Sequence, residues 1–245
     1  MNDGLRGALV KIGTFVATVV LLVLFVFGLF RALGAPVPVD WIWRTLTGQF
    51  GMSRSEGEPV LRVILERMPA TLELVAASII VALAIGLALG ALARRSPPPV
   101  ARAIDALGLA AKSLPAFWFV MLAQLWVVTH SGIPSAGLSS TDHFDFGDRL
   151  AHLILPAMLL AVVQVSSVIT WSTTDRDPAD LAARLARKLP TIFAVGSLVE
   201  IFFAWPGDGR LLFTTLLRGL GPLLAAALIY AAIAIAARTA TVADA

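Results

Sequence analysis

Long stretches without a single charged residue constrain this chain more than any motif does. They occupy residues 12–30, 74–93, 114–129, 153–174 and 219–237, each long enough as a helix to cross roughly 30 Å of hydrocarbon. A sixth, residues 191–204, is shorter and contains Glu200. None alternates apolar with polar residues, so the strands of a membrane barrel are excluded. With 58% hydrophobic and only 14% charged residues, a soluble core is excluded too, because too little polar surface remains to cover it. The expectation is an all-α membrane protein of about six transmembrane helices, with spans at about 12–30, 70–93, 113–129, 152–174, 190–204 and 219–237. They form a single membrane domain over residues 1–245.

The first run follows Arg6 and Lys11 and precedes Gly34 and Ala35, a pattern that a cleaved leader shares. Its length and Pro36 favour a retained span. Six spans put both termini on one side. Placing them in the cytoplasm leaves eleven of the nineteen Lys and Arg residues inside, a modest bias in the direction that positive loops follow. The net charge of +3 gives no reason to expect nucleic acid as a partner. The absence of cysteine excludes disulfides, a thiolate nucleophile and a cysteine metal site.

The segments between the runs differ in character. Residues 60–67 place Val60, Val63, Ile64 and Arg67 at helical spacing and predict an amphipathic surface helix, with Pro69 opening the second span. Glu73 then falls in the first turn of that span, where the helix dipole favours a carboxylate. Ala82, Gly86 and Gly90 form a stripe of small residues suited to close helix packing. "WPGDGR", residues 205–210, reads as a tight turn with Trp205 at the membrane interface. Glu200 is read as pairing with Arg210 or a neighbouring chain, or as facing a cavity. Asp142, His143, Asp145, Asp148 and His152 crowd one loop, but their spacing matches no defined ligand set, and no metal site is assigned to them.

One compact island of charge, "TTDRDPADLAARLARKLP", lies between two apolar runs. Asp177 suits an N-cap, Pro178 the first helical position and Asp180 the first turn. Asp180 can pair with Arg184 four residues on, and Arg187 and Lys188 complement the C-terminal end. Leu181, Leu185 and Leu189 make one apolar stripe. A short cytoplasmic helix over 177–189 is predicted, serving either as a solvated connector or as a docking surface.

Five segments, in order, resemble the permeases of the dipeptide/oligopeptide/nickel ABC importer family. They are "FGMSRSEGEPVLRVILERMPATLELVAASIIVALAIGLALGALA", "KSLPAFWFVMLAQLW", "GIPSAG", "AHLILPAMLLAV" and "VEIFFAWPGDGRLL", which together cover most of residues 37–222. The resemblance implies a type I ABC importer permease fold in a bacterial inner membrane. It also implies a related second permease subunit, cytoplasmic ATPase subunits and an extracytoplasmic solute-binding protein as partners. Under it, residues 177–189 with Pro190 become the helix that couples to the ATPase, and Glu73, Glu200, Trp205, Pro206, Gly207, Gly209 and Arg210 shape the outer gate or pathway. The charged loop departs from the family pattern. Counting back from Pro190, the family's glycine position falls on Asp177 and its glutamate position on Trp171.

No Gly-rich loop ending in Gly-Lys-Ser/Thr is present, so ATP and its hydrolysis are expected on partner subunits and this chain is not read as an enzyme. The expected function is half of a translocation pathway for peptides or a related small solute. The alternative is a non-transporting, permease-like scaffold, which the shortened loop motivates.

Overall fold

The computed structural model describes residues 3–32, 39–53, 57–113, 115–130, 136–140, 145–174, 177–216 and 233. It is all-helical: α1 Asp3–Ala32, α2 Asp40–Leu46, α3 Val60–Arg95, α4 Pro98–Ser113, α5 Ala116–His130, α6 Phe146–Thr173, α7 Pro178–Phe202 and α8 Asp208–Leu216. Among the described residues the one β contact is an isolated antiparallel bridge between Met52 and Pro59. The chain divides into two compact units. One runs to Glu66 and resumes at Thr214; the other is Arg67–Phe213.

In the first unit, α1 carries an apolar segment at Ile12–Gly28 within the first expected span, and α2 is closed internally by an Asp40–Arg44 ion pair of 2.8 Å. The second unit holds the helices that position the candidate site. α6 packs most extensively on α7 and also against α4 and α5. α3 and α6 are each long and apolar enough to cross a membrane, and α4 with α5 make a bent pair that would add a third crossing. α6 is the more enclosed, with 61% of its apolar window buried against 33% for α3. The expected third span falls on α5 and the fifth on the second half of α7. Of residues 219–237, the expected sixth, all but 233 lie outside the described residues.

Small residues hold α3 against α6, as the stripe suggested. Ala82 is fully buried. A Cβ at Gly86 would come within 2.5 Å of Val168 Cβ, and one at Gly90 would run into the Ser172 hydroxyl. Side-chain bonds reinforce the seam where backbones approach this closely. Gln164 Nε2 donates to Ser78 Oγ at 2.8 Å, and the Arg94 guanidinium donates to the Ser172 carbonyl. Ala93, Ile104 and Ile169 join α3, α4 and α6 in one apolar cluster.

Two expectations about prolines are corrected. The surface helix at 60–67 and the span after Pro69 are one helix, α3, with Pro69 inside it. The short helix over 177–189 is likewise the first half of α7, which continues through Pro190 to Phe202. A proline removes one N–H and so forfeits one helical bond. The apolar faces on either side are buried in register (Ala186 before Pro190, Ile192 and Phe193 after it), and that burial outweighs the lost bond.

Candidate functional site

The side chain of Glu200 reaches no solvent, and it is the centre of a cluster formed where α7 ends. α7 stops at Phe202 because the chain reverses there. Ala204 adopts φ +50°, and the Trp205 N–H returns to the Glu200 carbonyl at 2.9 Å. The reversal delivers the N-terminus of α8 to the Glu200 carboxylate, whose Oε2 accepts the Arg210 main-chain N–H at 3.1 Å. A carboxylate at a helix N-terminus is favoured because the first amides lack helical partners and the dipole there is positive.

α3 supplies the other half of the cluster. Thr71 Oγ1 donates to Glu200 Oε1 at 2.7 Å and accepts the Asp208 N–H at 2.9 Å. One residue earlier, the Ala70 carbonyl accepts Trp205 Nε1–H at 2.9 Å. A single hydroxyl thus joins α3, α7 and α8. Trp205 is wholly buried, and its indole N–H has found an internal carbonyl, so the ring has no need of water. The Arg210 guanidinium donates to the Ala204 carbonyl at 2.6 Å. Glu200 therefore meets the backbone of Arg210.

The two glycines of the turn are there for space. A Cβ at Gly207 would collide with the Glu200 carboxyl group, and one at Gly209 with the Cα of Ser197. Pro206 lies between the buried Trp205 and Gly207. Gly137, the last residue of "GIPSAG", donates its N–H to the Phe203 carbonyl at 2.9 Å, so two distant segments of the recognised pattern meet at this turn.

Glu73 lies elsewhere. Because α3 begins at Val60, Glu73 is not at a helix N-terminus, and its expected local partner is absent. It is held instead by Arg149 of α6 through two bonds, Nε to Oε1 at 2.8 Å and Nη2 to Oε2. Both side chains are 29% exposed, a partly shielded fork-to-fork pair that fixes geometry as well as charge.

At the other end of α7 the charged island folds largely as its residues suggest. Asp177 caps the helix through the Ala179 N–H at 3.0 Å, Pro178 opens it, and Arg184 Nε donates to Asp180 Oδ2 at 2.7 Å. Leu181, Leu185, Lys188 and Leu189 are half-buried, while Arg187 and Pro190 are exposed. Trp171 donates its indole N–H to the Asp177 carbonyl at 2.7 Å and so closes the connection between α6 and α7.

The acidic, histidine-bearing loop is stitched to α6. Asp148 Oδ2 accepts from Ser139 Oγ at 2.5 Å and the Ser140 N–H at 2.6 Å. His152 Nδ1 lies 2.8 Å from the Asp148 carbonyl. Asp145 caps α6 through the Gly147 N–H at 2.8 Å. Among the described residues no group of three or more potential metal ligands gathers; Asp142 and His143 lie outside them.

Sequence reasoning singled out Glu200, Trp205 and the turn but missed Thr71 and Ala70 as their partners, as it missed Arg149 for Glu73 and Trp171 for Asp177. No protein-family model matches the chain. The oligopeptide transport system permease protein AppB of Bacillus subtilis is 28% identical over 207 residues, 71% of this chain and 66% of that protein. The dipeptide transport system permease protein DppB of Escherichia coli K12 is 26% identical over 234 residues, 74% of this chain and 69% of that protein. A protein of Brucella abortus, named as a peptide transport system permease, is 31% identical over 128 residues, 51% of this chain and 40% of its own length. The chain spans about two thirds of the length of the first two relatives.

Proposed function

We propose that this chain, a divergent member of the oligopeptide and dipeptide transport permease family, is the multi-pass permease subunit of an ATP-driven importer for peptides or a related small solute. In this reading it lies in a bacterial inner membrane with both termini in the cytoplasm. It forms half of the translocation pathway with a second permease, receives solute from an extracytoplasmic binding protein and is driven by separate ATPase subunits.

The continuity of α7 carries the proposal. Its 25 residues make a rod of about 37 Å, with the charged, capped segment at one end and the buried Glu200 cluster at the other. Displacement of Pro178–Leu189 by a cytoplasmic partner reaches the turn at 203–210 through one helix, with no loop to absorb it. Pro190 is the one place in that rod where a helical bond is missing and bending is cheap. Differential contact of a partner with two positions of this rod is what would let ATP binding favour one state.

A second reading follows from the short connection between Thr173 and Pro178. The residues between them are too few for a separate coupling helix, and the leucine stripe is half covered by the chain itself. A scaffold that retained the fold and lost ATPase docking would look like this.

Co-purification of the ATPase subunits, with solute-stimulated hydrolysis, separates the two. Leu181→Asp with Leu185→Asp should abolish both while the protein still inserts. Arg187→Glu, at an exposed site, tests docking without disturbing the fold. Retention of the ATPases by both variants would remove coupling from this segment, and failure of the unmutated protein to retain them would favour the scaffold.

A further inference from the structure

A partly open cavity of about 210 Å³ lies between the end of α4, the start of α5, and α6 and α7. Phe119, Val120, Val163 and Val195 give it apolar walls, and among the described residues Lys188 is the one charged group lining it, with Thr191 beside it. A half-buried ammonium against apolar walls is costly unless an anion or water meets it. Among the described residues no carboxylate of this chain does so. Asp180 is engaged by Arg184 at 2.7 Å, and Asp177 is directed to the Ala179 N–H. The first turns of α7 therefore carry cations in excess of the acids available to them.

We propose that this cavity binds an anionic phospholipid of the surrounding bilayer, with its phosphate on Lys188 Nζ and a segment of one acyl chain between Phe119, Val163 and Val195. The two chemistries of the site, one cation at the edge and hydrocarbon within, are those of a single-charged amphiphile. A peptide carboxylate would also satisfy the ammonium. Among the described residues, however, the lining side chains other than Lys188 and Thr191 are all apolar, and burying a peptide's N–H and C=O groups against them unpaired is unfavourable. Pro190 stands where the fifth span is expected to enter the membrane, which puts Lys188 at the depth where basic residues meet lipid phosphates.

The test is native mass spectrometry of the full chain in a neutral detergent, titrated with phosphatidylglycerol or with phosphatidylcholine of the same acyl chains. Phosphatidylglycerol should be retained preferentially. Lys188→Gln should weaken it about five- to tenfold, and Lys188→Arg should restore it. Val163→Trp should weaken it with the charge intact, because the ring fills the cavity. Helix content by circular dichroism confirms that each variant is folded, and Arg187→Gln should change affinity less than about twofold as a surface-charge control. Equal retention of the two lipids, no effect of Lys188→Gln, or an equal effect of Arg187→Gln would each overturn the proposal. So would displacement of phosphatidylglycerol by a dipeptide, which would assign the cavity to transported solute. None of these outcomes depends on whether the chain transports.

Discussion

Thr71 carries two bonds of the buried cluster on one oxygen, donating to Glu200 and accepting from the Asp208 amide. Thr71→Val keeps the shape and removes both, leaving a buried carboxylate oxygen and a buried N–H short of a partner. The expected cost is about 1–3 kcal/mol, seen as a lower thermal midpoint of the purified protein, with Thr71→Ser close to the parent. An unchanged midpoint for the valine variant would exclude the hydroxyl from the network. Glu200→Gln is expected to destabilise as well, since the amide nitrogen cannot accept the bond that the second carboxylate oxygen now takes. Gly207→Ala should go further, because its methyl group enters the space of that carboxyl. The sequence made Glu200 conspicuous as a lone acid in an apolar run. Thr71 was not conspicuous, being an ordinary threonine in an apolar helix whose partner is 129 residues away.

At the scale of elements, α3 and α6 are joined by a glycine seam near one end and by Glu73–Arg149 toward the other. Gly90→Val would place a branched side chain where Ser172 already sits. Its expected signature is loss of monodisperse protein on gel filtration, whereas Ala88→Val, at an exposed position of the same helix, should be tolerated. For the ion pair, Glu73→Arg should impair transport and Arg149→Glu in the same chain should restore part of it. Failure of the double swap to improve on either single variant would limit the pair to a local role. Both helices were expected as spans, and the seam was visible in the four-residue spacing of small residues. The pair was not, because the dipole of a predicted helix start offered Glu73 a local explanation that disappears once α3 runs through Pro69. α7 repeats that lesson. Pro190→Ala restores a donor to the Ala186 carbonyl, so amide hydrogen exchange around residues 186–191 should slow; if α7 is a bending rod, solute uptake should fall in parallel.

At the scale of the molecule, the chain alone in lipid vesicles is expected to show no ATP-dependent uptake, and to gain it when a second permease, the ATPases and the binding protein are added. Uptake by the chain alone would contradict the half-pathway reading. The all-helical membrane class was determined by the sequence itself, since hydrocarbon leaves a backbone no other economical way to satisfy its N–H and C=O groups than a helix over each apolar run. Local capping was legible for the same kind of reason: Asp177, Pro178, Asp180 and Arg184 interact within one or two turns, and their spacing specifies the contact. What tertiary structure alone decided is where helices end and which polar groups meet. Pro69 and Pro190 read as boundaries because a proline costs a helix one bond locally, but α3 and α7 each run through theirs, and in α7 side chains on both sides of Pro190 are buried. Trp205 read as an interfacial anchor because an indole N–H seeks a polar partner, and only the folded chain brings the Ala70 carbonyl to it.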